Sequence, residues 1–117
     1  MITTTFRTDL FAGKVALVSG GTSGMGAAIG DALAACGATV TVTGATPAEA
    51  DTARAQPGFR CREAVVLDVR DSAAIAAFVA ALPRLDILVN CAGTIRRGAE
   101  HDPAIFAEVL DINLTGT

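Results

Sequence analysis

Three glycines, Gly20, Gly24 and Gly26, stand at G-x-x-x-G-x-G spacing directly after the apolar run Val15-Ala16-Leu17-Val18. A buried strand, a glycine-rich turn and a helix in that order form a cradle for the phosphates of a dinucleotide. Glycine admits positive φ in a tight turn, lets backbone approach a pyrophosphate and lets a helix pack close to its strand. The helix that follows aims its unsatisfied N–H groups and positive dipole end at the bound anion. Thr22, Ser23 and Met25 are the loop neighbours whose N–H groups reach phosphates. The competing reading is a bare left-handed turn, and the spacing is one residue off G-x-G-x-x-G. Strand before and helix after favour the phosphate site. No Lys follows Gly26, so the loop of nucleotide triphosphatases does not fit. Met25 stands where a G-x-S-x-G nucleophile elbow around Ser23 needs its last glycine.

The elements that must position this loop repeat along the chain. Lys14 to Ser19 is the first strand, and Gly24 to Cys36 a helix with Met25, Ile29 and Leu33 on one apolar stripe and Gly37 as its stop. Ala38 to Thr43 is a second strand ended by Gly44, and Pro47 opens a weaker helix to about Ala55, followed by a Pro57-Gly58 turn. Ala64 to Leu67 is a third strand. Asp71 or Ser72 caps a helix in which Ile75, Phe78, Val79 and Leu82 recur at i, i+3, i+4, i+7 before Pro83. Leu85 to Val89 is a fourth strand, and a loop from Cys91 to Asp102 leads to a last helix entered at Pro103. Four alternations of strand and helix make an α/β fold, a parallel sheet with helices on both faces, whose ligands lie at the carboxyl ends of the strands.

Met1 to Arg7 reads as a loose tail and residues 8–117 as the domain. The last helix carries two apolar stripes, Ile105, Val109, Ile112 and Phe106, Leu110, Leu114, more than one sheet face can bury. More chain or another subunit is expected to cover it, so the chain reads as cut short within this helix and as self-associating through it.

Composition sets the outer limits. Of 117 residues, 51% are hydrophobic and 18% charged, which is globular, and a net charge of −3 argues against a nucleic-acid surface. Arg54, Arg60 and Arg62 therefore read as a solvated face rather than a phosphate patch. Cys36, Cys61 and Cys91 are odd in number, widely spaced and without zinc spacing, as in reduced thiols. Met1 to Asp9 lacks the apolar centre of a signal peptide, and acidic residues interrupt every apolar region, so no membrane partner is expected and the cytoplasm is the default location.

Four stretches in order resemble the short-chain dehydrogenase/reductase family. Ser19-Gly20-Gly21-Thr22-Ser23-Gly24-Met25-Gly26 is similar to its T-G-x-x-x-G-x-G, with Ser for Thr. Leu67-Asp68-Val69 resembles its acidic position after the third strand, and Asn90-Cys91-Ala92-Gly93 its N-N-A-G with Cys91 for the second Asn. Asp111-Ile112-Asn113-Leu114-Thr115-Gly116 resembles the D-x-N-x-x-G of its long interface helix.

The resemblance implies a Rossmann-type doubly wound sheet, of which this chain is the N-terminal part with about four strands. It implies NAD or NADP as cofactor and hydride transfer between the nicotinamide and a small alcohol or carbonyl. It implies cofactor contacts from Gly20, Thr22, Ser23, Gly24, Met25 and Gly26, an adenine contact from Asp68 and Val69, and room for ribose and nicotinamide at Asn90, Ala92 and Gly93. Asp68 also reads as a capping or turn aspartate, and Asn90 as a brace between strands. Asn113 matches the family's catalytic Asn; a plain helix-interior Asn is the alternative, and its misfit in an apolar stretch favours the functional reading.

The family's Tyr and Lys general acid/base pair has no counterpart, because the sequence holds no Tyr and its only lysine is Lys14. General acid/base catalysis contributes about 10²–10⁴-fold, so this chain alone is expected to be inactive. Cofactor choice stays open, since Thr43-Gly44-Ala45-Thr46 offers neither the acid that binds a ribose 2′-OH nor an Arg for a 2′-phosphate. Arg96-Arg97 suits an anionic substrate such as a sugar acid but reads first as a solvated loop pair, and His101 as a surface turn residue. The alternative function is a non-catalytic dinucleotide-binding module acting through a partner.

Overall fold

A computed structural model describes residues 5–117; residues 1–4 of the tail expected at Met1 to Arg7 lie outside the described residues. Its strands are β1 (Val15–Ser19), β2 (Thr39–Gly44), β3 (Glu63–Val66) and β4 (Ile87–Asn90), and its helices α1 (Gly24–Ala35), α2 (Pro47–Arg54), α3 (Ser72–Ala81) and α4 (Pro103–Leu110). All strand pairs are parallel in the order β3-β2-β1-β4, with Ala16 beside Val40 and Ile87, and Val18 beside Val42 and Val89. The chain moves outward from β1 to β3 and then returns past β1 to β4. With right-handed crossovers that reversal puts α1 and α2 on one face and α3 on the other. The expected α/β parallel sheet is the one observed.

The core lies on the α1–α2 face. Ala16, Val18, Val40, Val42 and Ala64 supply the sheet side, and Ala50, Ala53 and Cys61 lie over it, all buried. Thr41 and Thr43, on the opposite face of β2, are also buried, as befits a strand covered from both sides. β4 is less covered: Leu88, beside Leu17, stays 55% exposed.

The packing stripe of α1 differs from the expected one. Met25 is 81% and Ile29 36% exposed, while Gly26 and Gly30 are buried and only Leu33 of the apolar stripe joins the core. The reason is distance. A Cβ on Gly30 would lie 3.0 Å from Val42 Cγ1 and 3.2 Å from Cys61 Sγ, so α1 approaches the sheet along its small residues, and a larger stripe would hold it off. The helix ends as read, with Gly37 at φ +96° and the Ala38 and Gly37 N–H groups donating to Leu33 O and Ala34 O.

The other helices are capped by side chains. Thr46 accepts from Glu49 N with Pro47 at the first position, Asp71 accepts from Ala74 N, and Asp102 accepts from Ala104 N and Ile105 N. The α3 stripe is looser than expected: no residue of α3 is buried, and Val79 is 45% exposed. On the last helix the two stripes separate. Ile105, Val109 and Ile112 are half-buried, whereas Phe106, Leu110 and Leu114 are 52%, 41% and 70% exposed. Among the described residues no helix is long and apolar enough to cross a membrane.

Two consequences are measurable. Gly30→Val should cost about 2 kcal/mol or more in urea unfolding, because Val42 and Cys61 leave no space, while Met25→Leu at its exposed position should stay within about 0.5 kcal/mol. Burial, with Asp31 beside it, pushes the Cys61 thiol from its ordinary 9.0 up to about 11. Folding therefore favours the neutral thiol, a contribution complete below pH 9 and lost as pH rises through about 11. The unfolding midpoint of the native chain should thus fall between pH 9 and 11 more steeply than that of Cys61→Ala; parallel curves would refute the assignment.

Candidate functional site

A cleft of about 510 Å³ opens at the carboxyl ends of the strands. Its floor is the loop from β1 into α1. Gly20 has φ +69°, and a Cβ there would lie 2.5 Å from Ala92 N and Cα, so only glycine lets this loop lie against the one after β4. A Cβ on Gly26 would lie 2.2 Å from Gly20 O, so the first turn of α1 closes onto the same loop. Gly24, at φ +55°, has nothing within 4 Å and faces open space. From behind, β2 fixes the loop: Gly20 N donates to Thr43 Oγ1 at 3.4 Å and Gly21 N to Thr43 O at 3.0 Å.

The entry to α1 is unlike the other three. Ser23 takes the N-cap position in extended conformation without any side-chain capping bond. The first-turn N–H groups of α1 thus receive no side-chain acceptor and line the cleft, the arrangement suited to an anion.

On a second wall Asp68 Oδ1 accepts from Arg70 N at 2.9 Å, and Asp68 Oδ2 meets Arg70 Nη2 at 2.7 Å. The Arg70 guanidinium holds the Asp68 carboxyl below its ordinary range, assisted by the Arg70 backbone N–H. Capping of α3 falls to Asp71 instead. Val69 packs beneath the end of the last helix, where a Cβ on Gly116 would come within 2.6 Å of Val69 Cγ2.

The third wall is Ala92, Gly93 and Thr94, after β4. Asn113 holds it. Thr94 N donates to Asn113 Oδ1 at 2.7 Å, and Asn113 Nδ2 donates to Thr94 O at 2.9 Å, so both polar side-chain atoms brace one residue. A Cβ on Gly93 would lie 3.3 Å from Asn113 Oδ1. Here the helix is no longer regular: Asp111–Thr115 is a wider π turn, closed by Gly116 N donating to Asp111 O at 2.8 Å. Such turns recur at functional sites.

Of the residues singled out in the sequence, Gly20, Thr22, Ser23, Gly24, Met25, Gly26, Asp68, Val69, Ala92 and Gly93 line this one cleft. Asn90 and Asn113 do not. Asn90 sits at the end of β4 opposite Ser19, and Asn113 stands behind Thr94. Arg96 and Arg97 part company: Arg96 lines the cleft, donating to Thr94 Oγ1 at 2.5 Å and pairing with Glu108 at 3.5 Å, whereas Arg97 is exposed outside it. His101 lies exposed in a short 3₁₀ turn, Ala99–His101.

Sequence reasoning weighed Thr43-Gly44-Ala45-Thr46 as the corner that sets cofactor choice but missed Glu49, which lines the same wall. The signal was present, since Thr46-Pro47-Ala48-Glu49 has capping-box spacing, which folds the fourth side chain back over the helix entry.

Removing the Arg70 guanidinium should release Asp68. In Arg70→Ala the Asp68 carboxyl, followed by NMR, should titrate higher than in the native chain. The native ion pair supports folding above the ordinary carboxylate range and loses its contribution as pH falls through the lowered one. An unmoved titration would assign the shift elsewhere.

Residues 14–117 match the family described as short chain dehydrogenase. The chain is 41% identical over 122 residues to a D-threitol dehydrogenase of Mycolicibacterium smegmatis, covering 96% of this chain and 45% of that protein. It is 37% identical to a 2-dehydro-3-deoxy-D-gluconate 5-dehydrogenase of Formosa agariphila, covering 91% and 44%. Among solved structures, a short chain dehydrogenase/reductase family protein superposes with TM-score 0.77 at 36% identity, over 92% of this chain and 46% of the other. An NADP active-site complex from Pseudomonas aeruginosa superposes with TM-score 0.74 at 30% identity, over 95% and 45%. The chain spans about half the length of the curated relatives it matches.

Proposed function

The chain belongs to the short-chain dehydrogenase family, and from that premise we propose that it forms the cofactor-binding part of an NAD(P)-dependent oxidoreductase acting on a small alcohol or carbonyl. The observation that carries this reading is the uncapped entry of α1, set behind a loop that only glycine can build and opening on a cleft of about 510 Å³. The open space over Gly24, which a side chain would begin to fill, suits a pyrophosphate brought against backbone.

In this reading Gly20 shapes the turn, its N–H and that of Gly21 being held by Thr43, and the N–H groups from Thr22 through Gly26, with Ser23, Gly24 and Met25 between them, face the cofactor phosphates. Asp68 and Val69 bound the adenine, with the Asp68 carboxylate kept ionised by Arg70 and able to accept a hydrogen bond. Ala92 and Gly93 leave room for the nicotinamide ribose, and Asn90 steadies the strand end before them. Asn113 fixes the Gly93–Thr94 segment, and the relay role implied by the resemblance would use a residue already held in place. When bound, the cofactor would supply the hydride acceptor or donor, leaving position and proton handling to protein. The relatives named for D-threitol and a 2-dehydro-3-deoxy-gluconate support a polyol or sugar-acid substrate. Arg96 is the cationic group on the cleft wall nearest Thr94 in the chain.

The purified chain should bind NADH or NADPH saturably in isothermal titration, with Gly24→Asn, a residue that tolerates the left-handed φ of +55° there, weakening binding at least about tenfold while leaving the circular dichroism unchanged. It should turn over neither cofactor with any carbonyl, for want of a Tyr. Absence of binding to both cofactors would overturn the cradle; turnover by the 117 residues would overturn the assignment of proton transfer to groups this sequence lacks.

A further inference from the structure

Both cofactors remain compatible with family membership, since one similar structure is an NADP complex. The choice has to come from the corner of the cleft that receives the adenosine ribose, at the end of β2. In dinucleotide-binding sheets an acid there binds the ribose diol and a cation accommodates a 2′-phosphate. β2 ends in Gly44, which offers neither group.

The fold supplies a carboxylate from another element. Glu49, in the first turn of α2, folds back over the strand end, and Ala45 N donates to its Oε2 at 2.6 Å. The same oxygen lies 2.9 Å from the position a Cβ on Gly44 would take. The carboxylate thus occupies the place where a side chain on the last residue of β2 would begin. A Cβ at 44 would also lie 2.8 Å from the Thr22 side chain, so Thr22 and Glu49 together fill this corner.

Charge in the cleft points the same way. Five charged residues line it: Glu49, Asp68, Arg70, Arg96 and Glu108. Asp68 pairs with Arg70 at 2.7 Å and Glu108 with Arg96 at 3.5 Å. Glu49 has no cationic partner among the described residues, so the cleft carries one uncompensated negative charge, located at the ribose corner. The arginines near in sequence lie elsewhere: Arg54 pairs with Asp51 and donates to Ala64 O at 2.7 Å, and Arg62 precedes β3, at the amino end of that strand, away from the cleft at the carboxyl ends.

We infer that Glu49 is the residue that selects the cofactor, accepting a hydrogen bond from a free ribose diol and repelling a 2′-phosphate, so that the chain takes NAD(H) in preference to NADP(H). This rests on the dinucleotide reading of the cleft. Bringing two like charges together at a binding surface is costly, and a 2′-phosphate would add about two negative charges beside a carboxylate already present.

The test is direct binding, which needs no catalysis. NADH and NADPH differ only in the 2′-phosphate and are titrated calorimetrically into the chain and into Glu49→Gln, whose amide oxygen still accepts from Ala45 N. The native chain should bind NADH at least about tenfold more tightly, and Glu49→Gln should narrow that ratio mainly by tightening NADPH. A purely structural loss at the entry of α2 would weaken both equally and leave the ratio unchanged, overturning the inference. Should Glu49→Gln fail to fold, salt decides with the native chain: the gap should narrow between about 0.05 and 0.5 M NaCl, and a salt-independent gap overturns the inference. Equal binding of the two cofactors would overturn the role of Glu49 alone. Binding of neither would remove the cleft reading and this inference with it.

Discussion

The structure depends on a contact with no room in it. The loop after β1 lies against the loop after β4 and the first turn of α1 closes on that same loop, at separations no Cβ tolerates. Once Gly20 and Gly26 permit this, α1 descends onto the sheet along Gly26 and Gly30, the uncapped entry of the helix opens on the cleft, and Ala92 and Gly93 are drawn beside it. A side chain at either glycine would separate the walls and push the helix from Val40 and Val42. Packing and site are consequences of a single close approach.

Two supports hold that geometry from outside. β2 reaches it through Thr43, a buried threonine whose hydroxyl and carbonyl both accept from the glycine loop. The last helix reaches it through Asn113, which clasps the backbone of Thr94, and through Gly116, which seats Val69. The widened turn at Asp111–Thr115 coincides with these contacts. A helix that must present a carboxamide to a loop and a glycine to a neighbouring valine gives up its regular ladder there.

The sheet is unevenly covered. One face is closed by α1 and α2, and its residues are small or β-branched. The other face and the β4 edge leave Leu88 more than half exposed, and the last helix turns Phe106, Leu110 and Leu114 outward. The apolar excess on that helix was visible in the sequence, where its two stripes exceeded what one sheet face buries. Which stripe faces inward was not visible, because periodicity gives the angle between stripes and not the direction of the sheet.

The sequence by itself determined the order of strands and helices, their stops at Gly37, Pro57-Gly58 and Pro83, and the glycine loop, because these follow from interactions among near neighbours: turn stereochemistry, capping and apolar periodicity. It also marked ten residues that share the cleft wall, through motifs whose strand–turn–helix context is local. The tertiary structure decided what depends on distance between segments. Hydrophobicity assigned the packing of α1 to Met25, Ile29 and Leu33, yet the sheet accepts the glycine side of that helix, since only there do backbone and strand come close enough. Asn113, marked by its motif, was a lone helix residue in the sequence, and only the fold shows both ends of its carboxamide bonded to Thr94. Glu49 was not among the residues marked from the sequence, and only the fold of α2 brings its carboxylate over Gly44. A strand end without a side chain creates a vacancy that only three-dimensional packing can show to be filled by a residue from the next element.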